Sequence, residues 1–83
     1  MTAFDRIPLP EAAELLRRSE STLRVWGTRY KARRVKVLGR VHWDYADLAT
    51  IDGCIRRGEP VPATPEERDR VREGLRTRWE DAA

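Results

Sequence analysis

The chain has 83 residues, 37% of them charged and 40% apolar, with one cysteine and one histidine. A chain of this length forms one small domain that buries only roughly 60–65% of its unfolded surface. Cys54 and His42 exclude an internal disulfide and a four-ligand zinc site, and no run of about 18 apolar residues exists to span a membrane. The opening Met1-Thr2-Ala3-Phe4-Asp5-Arg6 lacks a basic segment followed by an apolar one, so export is not expected. Packing in a reducing, cytoplasmic compartment, with no metal and no cofactor, is the expectation.

The net charge of +3 conceals a segregation. Residues 17–43 hold nine basic side chains (Arg17, Arg18, Arg24, Arg29, Lys31, Arg33, Arg34, Lys36 and Arg40) against the single acid Glu20. The flanking segments are near neutral. Such a block is the electrostatic footprint of a surface that meets phosphate. A solvated arginine-rich loop has the same charge, so the pattern inside the block must decide.

Pro8-Leu9-Pro10 opens the first predicted helix, with Pro10 in the first turn, where a missing N–H costs nothing. Leu9, Ala12, Ala13 and Leu16 recur at helical spacing, and the helix should end near Arg17 or Arg18. Ser19 reads as the N-cap of a second helix from Glu20 to about Tyr30. Two or three residues between helices is the linkage of a helix-turn-helix. On a wheel of about 100° per residue, Leu23, Trp26, Gly27 and Tyr30 share the apolar face. Ser21, Val25 and Thr28 lie opposite, flanked by Arg24 and Arg29. Gly27 costs roughly 1 kcal/mol relative to alanine inside a helix, which close packing would explain.

Val35-Lys36-Val37-Leu38-Gly39-Arg40-Val41-His42-Trp43 alternates apolar residues on both arms around Gly39, the pattern of a two-stranded hairpin. Pairing Val37 with Val41 and Val35 with Trp43 sends all four to the core. The outer face then shows Arg34, Lys36, Arg40 and His42, with Leu38 at the tip. Asp44 should cap a third helix over residues 45–57, its core stripe Leu48, Ile51 and Ile55, its positive end supported by Asp47, and Gly58 its stop. After the stiff Glu59-Pro60-Val61-Pro62-Ala63, the run Thr64-Pro65-Glu66-Glu67 starts a fourth helix. The predicted class is mainly α with a small β-hairpin: a winged helix-turn-helix over residues 7–58, then a linker and C-terminal helix over residues 59–83.

In order, Ala12-Ala13-Glu14-Leu15-Leu16, Ser19-Glu20-Ser21-Thr22-Leu23-Arg24-Val25-Trp26, Val35-Lys36-Val37-Leu38-Gly39-Arg40 and Asp47-Leu48 follow a family pattern without gaps. The segment from Leu9 to Ile51 resembles the winged helix-turn-helix of phage excisionases, shared as a DNA-binding module with MerR-type regulators. Where the family usually has Gly-Val between the helices, this chain has Arg17-Arg18. Either the aliphatic stem of Arg18 covers the missing apolar plug, or the turn is longer.

The resemblance implies a small accessory protein without enzymatic activity, acting in a bacterial host cell. Excisionases bind repeated sites side by side, bend the DNA and bias a partner integrase toward excision. On the residues themselves, Ser21, Arg24, Val25 and Thr28, with Thr22 beside them, are expected nearest base edges in a major groove. Arg18, Arg29, Lys31, Arg33 and Arg34 are expected on phosphates, and Lys36 and Arg40 on the wing would reach the neighbouring backbone or minor groove. About five to seven neutralised phosphates would give a log–log salt slope near −4.5 to −6.

Other readings stay open. A MerR-like transcription regulator would use the same surface on a promoter. A protein-interaction module would use the last helix, whose stripe of Val71, Leu75 and Trp79 needs something to lie against: an adjacent protomer along DNA, or its own domain. Catalysis is not expected. His42 reads as a phosphate contact or surface residue, Cys54 as a partly buried inert thiol, Glu66-Glu67 as capping groups, and Trp26 and Trp43 as core anchors.

Overall fold

The computed structural model describes residues 6–82, with side chains as far as residue 74. A short strand β1 (Arg6–Pro8) leads into α1 (Leu9–Leu16), α2 (Glu20–Arg29), the hairpin β2 (Arg34–Val37) and β3 (Arg40–Asp44), then α3 (Tyr45–Arg57) and α4 (Pro65–Ala82). The fold is mainly α, with a helix-turn-helix pair, a hairpin wing and an added C-terminal helix.

Local chemistry sets the helix ends. Pro8 is the extended N-cap of α1, and the chain leaves α1 through Arg17, whose φ of 55° is left-handed. Arg18 N–H returns to the Ala13 carbonyl at 3.0 Å, which closes the turn. A left-handed arginine costs about 1 kcal/mol or more, which glycine would avoid. The turn stays short, and the Arg18 guanidinium lies over the Trp26 ring at 5.6 Å, so the Arg18 side chain covers the gap. The Ser19 hydroxyl accepts the Thr22 N–H at 3.1 Å. The Asp44 carboxylate accepts the Asp47 N–H at 3.1 Å, Gly58 ends α3 at φ 71°, and the Thr64 hydroxyl accepts the Glu67 N–H at 3.2 Å.

The sheet departs from the predicted two-stranded hairpin in two ways. It has three antiparallel strands in the order β1-β3-β2, because Ile7 pairs with Trp43 and is buried beside it. Three residues ending at a proline are too short to show alternation, so nothing in the sequence marks β1. The hairpin register is also one residue off the predicted one: Val37 faces Arg40, Val35 faces His42 and Arg34 faces Trp43. The loop is the two residues Leu38 and Gly39, both at positive φ (51° and 79°), the turn whose twist suits a tight hairpin. A one-residue slip exchanges faces. Val35 and Val37 are therefore turned away from the core, and Val41, though on the side of Trp43, is exposed beside Lys36 near the tip, with Leu38 almost fully so. The predicted basic face is divided: Arg34 and Lys36 share the side of Trp43, whereas Arg40 and His42 share the side of Val35 and Val37.

The core gathers Leu9, Ala12 and Leu16 of α1, Leu23 and Trp26 of α2, Trp43, and Leu48 and Ile51 of α3. On the last turn of α3 burial follows Cys54 rather than the predicted Ile55, as the connector returns Val61 to the core. Gly27 acquires a clear reason: a Cβ there would stand 2.6 Å from Cη2 of Trp43.

Candidate nucleic-acid interface

The apolar side of α2 is committed to the core, which turns its other side outward. Ser21, Arg24, Val25, Thr28 and Arg29 are all exposed, and Arg24, Val25, Thr28 and Arg29 line one shallow depression. Arg24 makes an exposed i,i+4 contact with Glu20 at 3.4 Å, a pair of little energetic weight. The Thr28 hydroxyl donates to the Arg24 carbonyl at 3.4 Å, and Thr22 exchanges a 2.8 Å hydrogen bond with Ser19. Thr22 thus serves the helix start and is half-buried, whereas Ser21, Arg24, Val25, Thr28 and Arg29 are open to a ligand.

The wing adjoins this helix through Gly27. The Arg34 guanidinium sits 5.1 Å from the Trp43 ring centroid, and its Nη1 is 3.4 Å from the position a Cβ at 27 would take. Arg34 therefore stands at the seam between α2 and the hairpin, against the packed side of α2 that Gly27 occupies. Lys36 and Arg40 project from opposite faces of the wing. Among the described residues, Arg29, Lys31, Arg34, Lys36 and Arg40 form no ion pair.

Two arginines nominated for phosphate are engaged internally instead. Arg18 donates to Asp52 at 2.7 Å, and Asp52 also receives Arg56 at 2.6 Å. Arg56 in turn donates to the Leu16 carbonyl at 3.1 Å, satisfying the end of α1. Arg33 makes two 2.7 Å hydrogen bonds to the carboxylate oxygens of Asp69, which Arg72 also contacts. The bond to Arg33 holds the Asp69 carboxyl below the usual carboxylate range, and the same bond pushes the Arg33 guanidinium up.

Sequence reasoning missed the hub behind this arrangement. Asp47, taken as a helix-end charge, is fully buried and accepts Arg68 through both oxygens, at 2.5 and 2.8 Å. It also accepts the Arg33 N–H at 2.9 Å. Arg68, equally buried, donates to the Pro62 carbonyl at 2.9 Å. The segment between α2 and β2 is thus tied to α3 and α4 by carboxylates. Arg68 is one of several arginines in a charged helix, and no local pattern distinguishes it. Val71 is half-buried; Leu75 and Trp79, nominated with it for protein contact, lie outside the described side chains.

Among the described residues no group of three or more His, Cys, Asp or Glu side chains is placed to hold a metal, and no helix is long and apolar enough to cross a membrane. Fold and surface together define the class, a winged helix-turn-helix with a cationic outer helix face and an added C-terminal helix. No family model, curated protein or solved structure matches the chain.

Proposed function

We propose that this chain is a sequence-specific double-stranded DNA-binding accessory factor of the excisionase type. In that role it binds repeated sites, bends the DNA and biases a phage integrase toward excision in the bacterial cytoplasm. One observation carries the reading: the exposed face of α2 presents the short side chains Ser21, Val25 and Thr28 between Arg24 and Arg29, beside a wing whose Lys36 and Arg40 form no ion pair among the described residues. Short side chains allow close approach to base edges, and flanking arginines supply guanine and phosphate contacts.

In this reading Arg24 reads guanine, Val25 meets a thymine methyl, and Ser21 and Thr28 hydrogen-bond base edges. Arg29, Lys31, Arg34, Lys36 and Arg40 neutralise phosphates. The internal ion pairs of Arg18 and Arg33 remove both from that set in the unbound protein. Side-by-side protomers would use the stripe of Val71, Leu75 and Trp79.

The test is titration of the protein against attachment-region duplex and a scrambled duplex, at several salt concentrations, with footprinting of the first. Five neutralised phosphates predict a slope near about −4.5 and preferential protection of direct repeats. A slope flatter than about −2 would remove the basic block from the interface. Protection confined to a promoter would favour a regulator.

A further inference from the structure

A second cationic feature lies beside the start of β2. Arg6, Arg33, Arg34, Val35 and Asp44 line a cleft of about 200 Å³. The β1–β3 register sets Arg6 opposite Asp44, and Asp44 N–H donates to the Arg33 carbonyl at 2.9 Å, so the three form one row across the sheet. Arg34 turns its side chain to the other face of the sheet, onto Trp43. Among the described residues, Arg6 forms no ion pair. Asp44 is the opposing charge in the lining, and its Oδ1 is occupied by the first turn of α3.

We propose that Arg6 and Arg33 form a phosphate-binding cleft, and that Asp69 of α4 is an internal competitor that keeps Arg33 out of it until a phosphate takes the carboxylate's place. The geometry of the competitor is that of the ligand: Asp69 offers Arg33 two oxygens in a fork, as a phosphate group does. The exchange replaces like with like. Asp69 is not left unpaired by it, because Arg72 also contacts this carboxylate. Both partners of the Arg33–Asp69 pair are partly exposed, at 35% and 42%, so solvent assists the exchange and little stability depends on it. Asp69 is ionised at neutral pH, since Arg33 lowers its pKa, and it competes as a full anion. The cleft chemistry is that of phosphate oxygens; its assignment to a nucleic-acid backbone rests on the function proposed above.

The experiment has two arms, each with the wild type and Asp69→Asn. In the first, inorganic phosphate is titrated and the arginine Nε–Hε resonances are followed by NMR. Phosphate should perturb Arg6 first and Arg33 only at higher concentration in the wild type, and both arginines together in the variant, with about 3–10-fold tighter apparent binding. In the second, a non-cognate duplex is titrated against salt, and the variant slope should steepen by about 0.9, the equivalent of one added phosphate contact. Adding Arg33→Gln to Asp69→Asn should abolish both gains. If Asp69→Asn fails to fold, Arg33→Gln alone decides: the exchange predicts about a two- to fivefold loss of phosphate and duplex affinity, and an unchanged affinity overturns the proposal. Phosphate binding without duplex binding would retain the cleft and remove the DNA reading. Duplex binding with no phosphate response at Arg6 and Arg33 would do the reverse.

Discussion

The ring of Trp43 occupies the space where any residue other than glycine at position 27 would place its Cβ. This contact joins the hairpin to the outer helix of the helix-turn-helix, so the wing takes its position from an absent side chain. Gly27→Ala should gain up to ~1 kcal/mol in helix propensity but lose about 1–3 kcal/mol to overpacking. A lowered melting temperature is expected, with partial recovery when Trp43→Phe is added. A Gly27→Ala protein as stable as the wild type would show that the ring is not held there.

Asp47 and Arg68 are both fully buried and bonded through two contacts. Removing Arg68 leaves the buried Asp47 carboxylate with Arg72, at 4.0 Å, as its cation among the described residues, so Arg68→Met should destabilise by about 3–5 kcal/mol in urea unfolding. The double variant Asp47→Leu/Arg68→Met should cost much less than the sum of the single changes. Additive costs would mean that the two side chains act independently.

The Arg33–Asp69 pair predicts the sign of one pH effect. Asp69 has its pKa lowered below the usual 3.8, mainly by the hydrogen bond from Arg33. The pair's stabilisation is therefore complete above the unfolded-state pKa and is lost as the pH falls through the lower folded value. Thermal melts of Asp69→Asn should show a shallower acid limb than the wild type below about pH 4. Parallel acid limbs would assign that loss to other carboxylates.

On the proposed DNA surface, base-reading and phosphate-binding arginines should behave differently. Arg24→Ala should cost about 1–3 kcal/mol and relax preference at one base position. Arg29→Ala should weaken all duplexes alike and flatten the salt slope by about 0.9. Competition titrations with single-base variants of the footprinted site separate the two outcomes.

The sequence by itself determined every element whose signal is local. Ser19, Asp44 and Thr64 each bond a backbone N–H three residues on, so three helix starts were legible in a window of four residues. The amphipathic division of α2 followed from its period, and with it the outward face of Ser21, Arg24, Val25, Thr28 and Arg29. Only the tertiary structure decided what depends on partners distant along the chain. The hairpin alternation is compatible with two registers, and a two-residue turn selected the one that turns Val35 and Val37 away from the core. Strand β1 exists because Ile7 finds Trp43, 36 positions away. The fate of each arginine was equally undetermined, since fifteen arginines look alike in sequence. Burial against Asp47 makes Arg68 a core residue, and contact with Asp52 and Asp69 draws Arg18 and Arg33 inward, because a charge takes its role from the carboxylate that folding places beside it.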